Sequence, residues 1–185
     1  MAKLGKIEDR RRVALPALIT IVSAAALVGL DLWTKGLAAA YLSGRGTVRV
    51  LGDFAVLIFV RNRGAFLSLG AGLPPALSFA CLVVLPLAAF AALAAFLLFR
   101  GRGSRRAADG PSPGPGTAEL AALALILAGG AGNLVDRILF GQVRDFLNFG
   151  IGRLRTGIMN LADLYILAAL IVALVEGLSR RARRD

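Results

Sequence analysis

The sequence predicts an all-α membrane protein, with four transmembrane helices and a small extracytoplasmic β-hairpin or sheet. Three observations carry that expectation. Of 185 residues, 57% are hydrophobic and the mean hydropathy is +0.74, more than a soluble domain of this length needs to fill a core. The apolar residues gather in runs long enough to cross ~30 Å of hydrocarbon at ~1.5 Å per helical residue. Between the first two runs lies a β-branched stretch split by a turn dipeptide. The formal charge of +11 clusters beside the runs, so membrane lipids are the expected electrostatic partner and no nucleic acid is.

We read the chain as a single membrane domain over residues 1–185. Residues 1–12, with Lys3, Lys6, Arg10, Arg11 and Arg12, form a basic flank, and 13–30 is the first span. Its charge-free run of eighteen residues exceeds the 7–15 of a typical signal-peptide core, which argues against a cleaved leader. DLWTK follows at 31–35, where Asp31 and Lys35 stand four apart and share a helix face. Trp33 in the same motif suits an interfacial anchor.

The outer β region is placed at about 47–66. TVRVLGDFAVLIFV contains two β-rich runs joined by Gly52-Asp53, a pair suited to a two-residue hairpin turn. In the following RNRGAF, Asn62 precedes the small Gly64. Residues 73–99 form the second span, with a kink expected at Pro86. Cys81 lies deep in that run and is assigned a packing role.

A Gly-, Pro- and Ser-rich loop at about 100–118 has no means of burying a core. The third span covers 119–140 and the fourth 158–178, and Gly129, Gly130 and Gly132 prepare the third for close helix contact. Four spans place both termini on one side, with thirteen Lys and Arg on that side and eight in the opposite loops. The positive-inside rule then sets termini and middle loop in the cytoplasm and the polar motifs outside.

With no histidine and one cysteine, Ser-His and Cys-His nucleophile systems, His/Cys zinc sites and an intrachain disulfide are excluded. Carboxylates remain. A charged Asp at the centre of a spanning helix costs roughly 2.5–3.5 kcal/mol, so aspartates beside apolar runs face a protein interior or a wet cavity and act there. Asn133 with Asp136, and Asn160 with Asp163, each stand three apart, which gives each pair one helix face. Two carboxyls brought together share one proton. Such a pair hydrolyses peptides when its ionised member activates water and its protonated member donates to the carbonyl oxygen. Asp163, with no cationic neighbour in sequence, belongs to the pair. Between Asp136 and Asp145 the residues leave the choice open, because Arg137 and Arg144 adjoin them.

Five ordered blocks then carry a resemblance: DLWTK at 31–35, NRGAF at 62–66, GNLVDR at 132–137, GQVRDF at 141–146 and MNLAD at 159–163. Together they resemble the lipoprotein signal peptidases, also called signal peptidase II or prolipoprotein signal peptidases, over nearly the whole chain. The resemblance implies an aspartyl endopeptidase of the bacterial cytoplasmic (inner) membrane, multi-pass, with its active site near the outer face. Its substrates would be lipidated prolipoproteins, cut just before the diacylglyceryl-modified cysteine. By the same resemblance the catalytic residues are Asp145 and Asp163. Asp31, Lys35, Asn62, Gly64, Asn133, Asp136, Arg137 and Asn160 fall on positions that support the site or the substrate. No metal or other cofactor is expected, and the chain is expected to be a monomer.

A small transporter is the main alternative from another class, since intramembrane acids mark ion paths. The absence of an apparent inverted repeat and the placement of the acids near span ends oppose it. A structural subunit whose aspartates merely bond helices is the third reading.

Overall fold

A computed structural model describes residues 2–64, 74–89 and 116–183. Their order is α1 (Ala2–Leu42), β1 (Val48–Leu51), β2 (Ala55–Asn62), α2 (Pro75–Phe79) running into a π-helical turn (Ala80–Val84), α3 (Thr117–Phe140), β3 (Val143–Ile151), β4 (Leu154–Arg155) and α4 (Leu161–Ala182). Among the described residues, three helices are long and apolar enough to cross a membrane: Leu15–Leu42, Thr117–Phe140 and Leu161–Ala182. Large apolar side chains such as Leu18, Ile21, Leu139, Leu170 and Leu174 lie exposed along them, while Asp31, Lys35, Asn133, Asp136 and Asn160 are buried. Polar inside and apolar outside is the arrangement a hydrocarbon solvent demands.

Several boundaries differ from expectation. The first span does not stop at residue 30: α1 continues through DLWTK to Leu42, carrying Asp31 and Lys35 on helical backbone. The fourth helix starts at Leu161, because Asn160 is its extended N-cap. Of the second span only 74–89 is described, helical from residue 75. The π turn ends two residues before Pro86, whose missing N–H and ring bulk disrupt a regular α ladder over the preceding turn. Residues 90–99 and the expected loop to 115 lie outside the described residues. Cys81 is exposed on the surface of the described residues, against the packing role expected for it.

The β region is larger than the sequence suggested. Its four strands form one antiparallel sheet in the order β1-β2-β3-β4. The β1–β2 connection pairs Leu51 with Ala55, leaving three loop residues instead of two, with Gly52 at φ +55°. A second turn, at Gly152 with φ +58°, joins β3 to β4. The two turns are tied together: Asp53 accepts from the Gly152 amide at 2.8 Å and pairs with Arg155 at 3.4 Å.

Close packing of α3 on α4 and α1 rests on small residues. A Cβ on Gly129 would strike the Ala162 carbonyl oxygen, and one on Gly132 would strike the Asp31 carboxylate. Ala24, Ala124 and Ala128 form the buried contact between α1 and α3, flanked by Leu27, Val28, Leu127 and Tyr165. This packing lets the interior of α1, the C-terminal part of α3, the N-terminus of α4 and β3 of the sheet converge on one polar centre.

Candidate active site

Asp145 owes its position to β3. On the same face of the sheet, Asn62 at the end of β2 lies diagonally across from it, and the Asn62 amide donates to Asp145 Oδ2 at 3.0 Å. Beyond β4 the chain returns alongside β3, where Met159 exchanges backbone hydrogen bonds of 2.7 Å with Leu147. Asn160 and α4 therefore begin beside Asp145.

Asn160 joins the two carboxyls. One Nδ2 hydrogen goes to Asp145 Oδ1 at 2.6 Å and the other to Asn133 Oδ1 at 3.0 Å. Its Oδ1 accepts from the Asp163 amide at 3.0 Å, and its own backbone N–H donates to Asp163 Oδ2 at 3.2 Å. Asn160 and Asp163 thus form a capping box at the start of α4. Asp163 Oδ1 takes a further bond from Asn133 Nδ2 at 2.8 Å.

Beneath this pair lies a buried ion cluster. Lys35, fully buried, reaches Asp31 at 2.8 Å, Asn133 Oδ1 at 2.9 Å and Asp136 at 3.7 Å. Asp31 also accepts from the Ala162 amide at 2.9 Å, so a carboxylate on α1 caps the N-terminus of α4. Arg144 grips Asp136 with its guanidinium at 2.6–3.2 Å and with its backbone N–H at 3.0 Å. Arg137 donates to the Gly64 carbonyl at 3.3 Å and faces Asp163, Asp145 and Asp136. Gly64 in turn donates its N–H to Asn62 Oδ1 at 2.9 Å.

Burial pushes the Asp145 carboxyl up to about 6. Amide donors Asn62 and Asn160 and the charge of Lys35 oppose that rise, and the Asp163 charge adds to it. Four carboxyls meet three cations here, so a single proton on the Asp145–Asp163 pair makes the cluster neutral. Among the described residues no group of three His, Cys, Asp or Glu side chains is placed to hold a metal ion.

The family model described as Signal peptidase (SPase) II matches residues 23–179. The chain belongs to the signal peptidase II family. It is 32% identical to the lipoprotein signal peptidase of Syntrophus aciditrophicus (strain SB), over 92% of this chain and 98% of that one. Identity to the lipoprotein signal peptidase of Borrelia hermsii (strain HS1 / DAH) is 31%, over 82% and 85%. A solved bacterial membrane enzyme, determined by the in meso method at 2.3 Å resolution, matches with TM-score 0.70 at 24% identity, covering 90% of this chain and 92% of that chain; this likeness shows the fold.

In this signal peptidase II chain, every site residue singled out in sequence lies in the one connected cluster. Two details differ. Asn160 and Asp163 meet through the cap and not as two positions on a helix face. Arg144 neutralises Asp136, not its neighbour Asp145. Sequence reasoning left Arg144 out of the site. Its signal was alternation: on a strand, adjacent residues point to opposite faces, so an arginine next to Asp145 cannot be its partner.

Proposed function

We propose that the chain is an aspartyl endopeptidase that removes signal peptides from diacylglyceryl-modified prolipoproteins, cutting on the N-terminal side of the lipidated cysteine. One observation carries the reading: both carboxyls, Asp145 and Asp163, hydrogen-bond the same residue, Asn160, and only one proton balances the charge around them. In the reaction the ionised carboxyl takes a proton from water while the protonated one donates to the scissile carbonyl oxygen. Water oxygen bonds to the carbonyl carbon, the C–N bond breaks, and the leaving amine departs with a proton returned by the pair.

Asn62, Asn133 and Asn160 hold the carboxyls in place with amide donors. Arg137 ties the Gly64 turn to the site, and Asp31, Lys35 and Asp136 support it from below. The reading places the chain in the bacterial cytoplasmic membrane as a multi-pass monomer with cytoplasmic termini and the pair near the outer face. Prolipoprotein substrates follow from the curated relatives' description as lipoprotein signal peptidases.

Mass-spectrometric mapping of products from matched precursors tests it. The purified chain is expected to cut the diacylglyceryl-modified precursor just before the lipidated cysteine. The unlipidated one should be processed at least ~10-fold more slowly, since burying acyl chains contributes ~0.8 kcal/mol per CH₂. Equal rates, or a cut elsewhere, would overturn it.

A further inference from the structure

Lys35 touches neither Asp145 nor Asp163, yet its ammonium lies one hydrogen bond from the first amide and two from the second. An ammonium has no acceptor, so the Asn133 atom 2.9 Å from it must be the carbonyl oxygen. That choice turns Asn133 Nδ2 toward Asp163. It also makes Asn133 Oδ1 the acceptor for Asn160 Nδ2, whose remaining hydrogen points at Asp145. One charge therefore fixes the orientation of two of the three amides that donate to the pair, Asn133 and Asn160, while Asn62 reaches Asp145 from β2.

The same ammonium also enters the charge balance, where it opposes the upward push of burial on Asp145. Around the pair lie Asp31 and Lys35 from α1, Asp136 and Arg137 from α3 and Arg144 from β3, with Tyr165 from α4 near Asp31, while Arg61 at the end of β2 and Arg63 beyond it are exposed. Asp136 is satisfied by Arg144, which leaves Asp31 and Lys35 as a removable pair of opposite sign. We propose that Lys35 is a positioning residue: it orients the Asn133 amide and supplies the positive charge that sets the pH window in which Asp145 and Asp163 together hold a single proton. This rests on the pair being catalytic, as proposed above.

Opposite charges at equal depth give opposite predictions. Removing the Lys35 charge leaves the cluster more negative, so the pair keeps its second proton to higher pH and loses its base. Lys35→Met is expected to move the acid limb of kcat/KM for a lipidated precursor upward by about one pH unit. Asp31→Asn keeps an oxygen for the Ala162 amide but removes a negative charge, and should move the limb downward by a similar amount.

Asp31→Asn/Lys35→Met restores the charge balance without a buried unpaired ion, so it guards against a single variant that fails to fold. Its profile should return to the wild-type position at reduced amplitude, with KM unchanged. If the folded variants lose rate uniformly with no movement of the profile, or if both singles shift it the same way, Lys35 is structural and the inference fails. Asp145→Asn and Asp163→Asn, assayed beside them, separate the cases: turnover in those variants would instead remove the pair itself.

Discussion

At Asp145 the loss of hydration outweighs every stabilising contact. The side chain is 2% exposed, and its pKa rises from 3.8 to about 6. A carboxyl whose folded pKa lies above its unfolded value binds more protons folded than unfolded between those two pH values. Unfolding free energy therefore falls as pH rises from about 4 to about 6 and stays lower above that window. At ~1.4 kcal/mol per pKa unit the cost at neutral pH is on the order of 3 kcal/mol. Asp145→Asn is expected to be inactive but to melt several degrees higher than the parent in detergent at pH 7.5 and to differ little at pH 4. An unchanged or lower melting temperature at pH 7.5 would show that burial does not strain this carboxyl. Asn160→Ala works the other way, removing an N-cap worth ~1 kcal/mol together with the Asp145 donor. It should lower both melting temperature and rate at every pH.

Among elements, the contacts of α3 with α4 and α1 are where small residues matter most. Gly132→Ala would press a methyl against the Asp31 carboxylate, and Gly129→Ala would press one against the Ala162 backbone, whereas Gly29 has nothing within 4 Å. Overpacking of this kind costs ~1–3 kcal/mol. We expect both variants to melt lower and Gly132→Ala to lose at least ~10-fold in rate, with Gly29→Ala indistinguishable from the parent. A neutral Gly132→Ala would contradict the packing described.

The sequence announced these glycines, the long apolar helices and the Asp31–Lys35 pair, because helical periodicity and charge are local signals. The strand carrying Asp145 was not announced. VRDFLNFGI shows little alternation in its burial, since α1 and α3 also pack against this strand. Register between segments 80 residues apart is not written in either one. For the same reason composition left open whether Asp136 or Asp145 joins Asp163, and only the resemblance decided it; the arginine on Asp136 is set by where β3 lies.

For the whole molecule the unusual feature is its inverted polarity, with a charged interior and apolar helix surfaces, and its proposed orientation is directly testable. In a background with Cys81 replaced, a cysteine at Leu154 in the sheet is expected to react with a membrane-impermeant maleimide in intact spheroplasts. One at Ser179 should react only after lysis, and the reverse pattern would invert the topology. The most direct test of the function is cleavage of a lipidated prolipoprotein by purified Asp145→Asn, Asp163→Asn and the double variant, each checked for a cooperative melt. Two carboxyls acting as one unit predict a loss of about a thousand-fold or more in each single variant and no further loss in the double. Near-parental turnover in either folded single variant would contradict catalysis by this pair.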